Sequence, residues 1–305
     1  MYLRRAILTP ALAATAALTL TACGSSTAVP ASGPATLSVV ASTDVYGAIA
    51  QAIGGDAVTV TSIINSPDAD PHEYETRPTD AVAVNEAKVV IYNGAGYDDF
   101  VTKLLGASST KPATIDVSAL SGLETAGTPF NEHVWYSLPT VTKLADRLAA
   151  DLTAADPARA STFSANAAAF DQKVGALTAK LAAIRAKYAG QKVAITEPVP
   201  LYLVQDAGLV DVTPPKFSEA VEAGTDPPAA VLAATLATFQ GADKVKVLLP
   251  NAQTETPLTK QVEQAATAGG VPIVPVTETL PTGVTDYVAW MTHQIDGLGS
   301  ALGGV

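Results

Sequence analysis

The sequence carries a single cysteine in 305 residues. One thiol excludes an intrachain disulfide framework and any metal centre built from several thiolates. Charged residues are also scarce, at 15%, where a soluble domain usually has about 25%. With 48% hydrophobic residues, Ala, Thr, Val and Gly fill the gap, so the chain lacks the charge-rich composition of disordered proteins. Positive charge is scarcest: 18 Lys and Arg stand against 29 Asp and Glu, a net −11. That excludes the basic footprint of broad nucleic-acid binding. Aromatics are only 6%, too few for a platform that stacks bases or sugars. There is no phosphate-binding P-loop and no H-E-x-x-H zinc-hydrolase motif.

What is present begins with an address. Residues 1–22 combine Arg4 and Arg5 with an apolar stretch from Ala6 to Leu20 that Pro10 interrupts. This is too short and too broken for a membrane span of about 20 residues, and it fits a secretory signal peptide. It ends in Leu20-Thr21-Ala22-Cys23, which resembles the bacterial lipobox. That resemblance implies cleavage before Cys23 and a lipid anchor on it, holding the protein to the extracytoplasmic face of the cell membrane. Buried acyl chains contribute about 0.8 kcal/mol per CH₂. Residues 23–36 are small, polar and Pro-containing, and read as a flexible tether. Loss of Arg4 and Arg5 with the signal takes the net charge from −11 to −13.

From residue 37 the pattern alternates strand and helix. Strands are predicted at 37–41, 58–64, 88–92 and 113–117, with helices at 46–53, 78–87 and 97–105, then 139–155. Such alternation marks a parallel sheet flanked by helices. Residues 157–189 hold the most regular pattern: Phe163, Ala167, Phe170, Val174, Leu177, Leu181, Ile184 and Tyr188 recur every three or four residues. That is one apolar stripe on one long helix, read as a strut between two lobes, with a heptad coiled-coil dimer as the competing reading. A second βα series follows, with strands at 192–196, 209–212, 245–249 and 271–274 and helices at 200–207, 227–238, 257–268 and 284–301. The expected fold is therefore α/β, with two lobes that each hold a parallel sheet. An N-terminal lobe at 37–156 and a C-terminal lobe at 190–305 flank the linking helix.

Only three histidines offer imidazole chemistry. His72 lies in the Pro- and Asp-rich loop after the second strand, and open α/β sheets bind ligands in the loops at strand C-termini. His133 stands just before a helix. His293 lies on the last helix without acidic company and reads as a solvated side chain. Glu197 and Glu278 each follow a strand of the second lobe, where each could equally be a surface or helix-capping acid. No local motif joins His72, His133, Glu197 and Glu278.

The chain resembles the metal-binding lipoproteins of bacterial ABC importers for zinc and manganese, the cluster of binding proteins with a rigid linking helix. The likeness rests on Ser42-Thr43-Asp44 with Ile53-Gly54-Gly55-Asp56, and on Asp70-Pro71-His72-Glu73-Tyr74-Glu75. It continues through Tyr92-Asn93-Gly94-Ala95-Gly96, His133-Val134-Trp135, Glu197 and Glu278. It implies a non-enzymatic receptor, a monomer, that holds one divalent ion between its lobes and delivers it to a permease driven by a separate ATPase. It implies His72, His133, Glu197 and Glu278 as the metal ligands. Glu278 falls where the family usually has Asp, with Glu255 as a nearby rival, and the His-rich acidic loop of many zinc carriers is missing. Two imidazoles and two carboxylates carry −2, which a divalent cation neutralises; the N and O donors suit Zn²⁺ and the carboxylates admit the harder Mn²⁺. Asp44 and Glu132 are expected to orient the imidazoles. Other readings of the same residues are a receptor for an organic solute or metal chelate, and a secreted zinc hydrolase using three of the four. A long strut further implies small lobe movements on metal release.

Overall fold

A computed structural model describes residues 36–304, except residues 68, 70, 73 and 125–128. The signal peptide, the tether and Cys23 lie outside the described residues. Residues Thr36–Val305 form one compact unit.

The first lobe opens with β1 (Leu37–Thr43), α1 (Asp44–Gly54) and β2 (Val58–Ile64), then α2 (Pro78–Glu86), β3 (Val89–Tyr92), α3 (Asp99–Ala107), β4 (Ala113–Asp116) and α4 (Val117–Ser121). Its strands run parallel in the order β2-β1-β3-β4. Val39, Val40 and Ala41 of β1 are fully buried, as expected for a central strand covered on both faces. Because β1 leads outward to β2 on one side and has β3 on the other, the strand order reverses beside β1. Open sheets bind ligands at such a crevice.

Two long helices follow. α5 spans Leu138–Ala155, and a 3₁₀ turn at Pro157–Arg159 leads into α6, Ala160–Tyr188. At 1.5 Å per residue, α6 is about 43 Å long. Its buried positions are Phe163, Ala167, Phe170, Val174, Leu177, Leu181 and Ile184, seven members of the predicted stripe. Tyr188, the eighth, is half-buried and donates its hydroxyl to the Gly304 carbonyl at 2.5 Å. The stripe is consumed inside the chain, against α1 and α5 of the first lobe and the last helix. A coiled-coil seam would need that same face.

The second lobe comprises β5 (Lys192–Ile195), α7 (Leu201–Asp206), β6 (Val210–Asp211), α8 (Pro215–Glu222), α9 (Ala229–Ala237), β7 (Val247–Leu249), α10 (Pro257–Ala268) and α11 (Tyr287–Ala301). Its parallel sheet has the order β6-β5-β7. The strand expected at 271–274 is reduced to isolated bridges, Leu248 to Ile273 and Asn251 to Val276. Pro272 and Pro275 explain this, since proline has no N–H to give to a ladder. The segment still runs extended beside β7, with Val274 N–H donating to the Leu248 carbonyl at 2.9 Å. α8 lies where no helix was expected. Among the described residues no helix is long and apolar enough to cross a membrane.

Candidate metal centre

The loops at the C-terminal ends of both sheets face one another, and the candidate ligands stand on them. His133 is held from the first lobe. Asn93 follows β3, and its Nδ2 donates to the Glu132 carbonyl at 3.0 Å, while Tyr46 donates its hydroxyl to Asn93 Oδ1. The turn after β3 explains the Asn-Gly-Ala-Gly motif. Gly94, Ala95 and Gly96 all have positive φ, and a Cβ on Gly94 would come within 2.5 Å of the Asp116 carboxylate. Asp98 closes the turn by accepting from the N–H groups of Asn93 (2.6 Å) and Gly94 (2.8 Å).

The His133 ring is fully buried. It packs edge-on to Trp135 at 5.1 Å and to Tyr97 at 6.0 Å between centroids, and Tyr97 in turn meets the His72 ring at 5.0 Å. Nδ1 of His133 lies 2.8 Å from Asn131 Oδ1, so Nδ1 carries the proton and Nε2 keeps its lone pair. Burial, with the neighbouring His72, lowers the His133 pKa to about 3. The ring is therefore neutral near pH 7, as metal ligation requires.

Nε2 of His133 points into the cleft, 4.0 Å from Glu278 Oε2 and 3.5 Å from Glu222 Oε1. Glu222 Oε1 is also 4.0 Å from His72 Nε2, which lies 3.8 Å from Glu132 Oε1. Glu278 is set by Tyr97, whose hydroxyl donates to Oε2 at 3.0 Å across the lobes, and by Asn251, whose Nδ2 donates to Oε1 at 2.7 Å. Burial and the Glu278 carboxylate hold the Tyr97 hydroxyl well above its ordinary pKa, so it remains a donor. The same Asn251 amide donates to Glu197 Oε2 at 2.5 Å, and Thr254 donates its hydroxyl to Glu197 Oε1. Glu197 thus joins Glu278 through one shared amide. A cavity of about 700 Å³ opens over the cluster and is lined by His72, Phe130, Glu132, Leu201, Val221 and Glu222, among others.

The structure therefore draws His72, His133 and Glu278 into one cluster and ties Glu197 to it through Asn251. Glu255 stands apart, half-exposed and ion-paired with Lys260 at 2.8 Å. Of the two acids expected to orient the imidazoles, Asp44 is engaged elsewhere. Asp44 accepts from the Leu280 N–H at 3.1 Å, across the lobes, and burial raises its pKa to about 6. Glu132 stands beside His72 itself.

Four contributors escaped sequence reasoning: Glu222, Asn251, Asn131 and Tyr97. For Glu222 the sequence offered weak cues to its helix and none to the residue itself. Pro214-Pro215 opens a helix well, Phe217 and Val221 share one face at i, i+4 and are buried, and Gly224 follows at φ 63°. Glu222 comes directly after Val221 on that helix. For Asn131 the signal was two residues from His133.

Solved proteins share this two-lobed fold. The SBP FpvC from Pseudomonas aeruginosa in complex with Mn²⁺ superposes with a TM-score of 0.71 at 24% identity, covering 88% of this chain and 98% of that one. A ZnuA deletion mutant with zinc bound gives a TM-score of 0.72 at 22% identity, covering 89% and 100%. Among curated relatives, the manganese-binding lipoprotein MntA of Bacillus subtilis (strain 168) is 32% identical over 170 residues, 54% of each chain. The iron ABC transporter substrate-binding lipoprotein MtsA of Streptococcus pyogenes serotype M1 is 33% identical over 159 residues, 48% of this chain and 50% of the relative. The chain spans about half the length of the curated relatives it matches. The family model described as zinc-uptake complex component A periplasmic (ZnuA) matches residues 39–301, nearly the whole of the two-lobed unit and all of its cleft residues, and the chain belongs to that family.

Proposed function

We propose that this protein is the extracytoplasmic, substrate-binding lipoprotein of an ABC importer. It captures a divalent transition metal, zinc or manganese, between its lobes and delivers it to a permease powered by a cytoplasmic ATPase. The observation that carries the reading is the convergence of two imidazoles and two carboxylates from both lobes. Donor atoms of His72, His133, Glu222 and Glu278 are linked by separations of 3.5–4.0 Å, and His133 is held neutral by burial. The four ligand positions inferred from sequence are His72, His133, Glu197 and Glu278, two from each lobe. The role is binding and release, without turnover. The names of the relatives, manganese-binding and iron-transporter lipoproteins, support a metal cargo and a lipid anchor on Cys23. Consumption of the α6 stripe within the chain supports a monomer.

Elemental analysis of the mature protein purified without added metal tests this reading. We expect about one Zn or Mn per chain, lost in His72→Ala and in His133→Ala, because imidazole ligands are hard to replace in a site of this kind. Hydrolytic turnover by the metal-loaded protein would favour an enzyme instead. Metal-independent binding of an organic solute in the cleft would favour a solute receptor.

A further inference from the structure

We propose that Glu222, on the helix α8, is itself a ligand of the captured ion, in addition to the four positions inferred from sequence. The inference rests on the metal-receptor reading above. Two donors about 2.1 Å from one ion in tetrahedral geometry stand about 3.4 Å apart. Glu222 Oε1 is 3.5 Å from His133 Nε2 and 4.0 Å from His72 Nε2, so it already stands close to a shared coordination sphere with both imidazoles. One donor atom each from His72, Glu132 and Glu222 lies within 4.8 Å of the others. A second observation is independent of the acids. His133 Nε2 is fully buried, has no hydrogen-bond partner among the described residues, and faces Glu222. A buried imidazole lone pair without a donor is costly unless an electrophile meets it there, and a cation bridging Nε2 and Glu222 Oε1 answers that need.

Glu222 differs in kind from the ligands on strand-end loops. Glu197 and Glu278 are fixed by the Asn251 amide. Glu222 hangs from a two-turn helix anchored by Phe217 and Val221, at the wall of the cavity that opens to the cleft. It is thus placed to meet an ion arriving through that cavity and to stay with it once bound. A further carboxylate also changes which ion suits the site. It raises the number of oxygen donors around two nitrogens, which favours a harder, higher-coordinate ion such as Mn²⁺ over tetrahedral Zn²⁺.

The test is competitive binding of Mn²⁺ and Zn²⁺ to the mature protein and to Glu222→Gln, Glu222→Asp and the same-helix control Lys216→Gln, which is exposed and outside the cavity lining. Glu222→Gln should weaken Mn²⁺ binding by about tenfold or more, weaken Zn²⁺ less, and alter the electron paramagnetic resonance spectrum of bound Mn²⁺. Glu222→Asp keeps the charge but withdraws the oxygen by one CH₂. It should lose affinity nearly as Glu222→Gln does, whereas full rescue by Asp means that Glu222 acts by charge alone and overturns the proposal. Unchanged affinity and spectrum in Glu222→Gln overturn it as well. A thermal melt of each metal-free variant identifies a folding defect; should Glu222→Gln fold poorly, the Glu222→Asp comparison decides. If His133→Ala still binds metal stoichiometrically, the receptor site itself is misplaced. That result is distinct from a silent Glu222.

Discussion

His133 sits where Trp135, Tyr97 and the edge of the cleft meet, and that burial decides its protonation. In the unfolded chain its imidazole titrates near pH ~6.5; in the fold its pKa is lowered to about 3. Between those values the unfolded state binds a proton that the folded state refuses, so stability falls as pH drops from about 6.5 toward 3. Asp44 works in the opposite sense. Its folded pKa is raised to about 6 from 3.8, so the folded state holds a proton more readily and gains stability as pH falls between those values. The two effects oppose one another down to about pH 4, and below that only the histidine still acts. In melting curves of the metal-free protein from pH 7 to 3.5, His133→Gln should therefore show a shallower acid loss than the parent. Asp44→Asn should show a steeper one. Parallel profiles for all three would contradict the burial assignment. At this scale the sequence is readable only in part. His72 and His133 stand out because histidine is rare here, whereas Glu222 is one acid among 29 Asp and Glu and is marked only by its three-dimensional neighbours.

Elements are legible where the pattern is long and one-dimensional. The α6 stripe repeats over about seven turns, and a 3.6-residue period accumulates evidence with each turn. Buried Leu177 lies at its centre. Leu177→Ala should destabilise by about 2–5 kcal/mol in urea unfolding, since it removes packed methylenes and leaves a cavity. The exposed Lys173→Ala on the same helix should stay within about 0.5 kcal/mol. Equal effects would mean that the stripe does not bear on the core. α8 lies at the other extreme. Its eight residues offer two apolar anchors, Phe217 and Val221, too few to define a period, and its flanking prolines read as loop. The lost strand at 271–274 teaches the converse. Val271, Ile273 and Val274 have the right composition, but Pro272 and Pro275 withhold the ladder donors, so hydrophobicity without N–H groups gives an extended segment and not a strand. The site depends on such short pieces, because α8 and the turn beside β7 bring Glu222 and Asn251 to it. No spacing along the chain could have announced that meeting.

At the scale of the whole molecule, the question is how far the lobes can part. One hydrophobic cluster runs without a break from Val39 of β1 through α6 to Val193 of β5 and Leu298 of α11. α11 belongs to the second lobe in sequence, yet Tyr287 donates its hydroxyl to the Trp135 carbonyl at 2.7 Å. Around the cleft, further hydrogen bonds cross between lobes. Tyr136 donates to the Thr277 carbonyl at 2.7 Å and Tyr202 to the Asn131 carbonyl at 2.7 Å, while Gln253 Nε2 donates to the Pro67 carbonyl at 2.5 Å. A hinge opening would have to break several of these and expose part of the shared core, whereas small shears between packed surfaces keep most of them. On the proposed function, metal release is therefore expected to proceed by local movement of cleft loops and α8. A compact chain of about 270 residues has a radius of gyration of about 18 Å, and wide opening of two such lobes would raise it by more than about 1 Å. Small-angle scattering of the metal-loaded and metal-free protein should differ by less than about 0.5 Å. Hydrogen exchange should increase on metal removal around His72 and in α8 while α6 stays protected. A large scattering change with α6 deprotected would show instead that the strut yields. Release would then be a global event, and the cross-lobe hydrogen bonds would have to be re-formed with each ion captured.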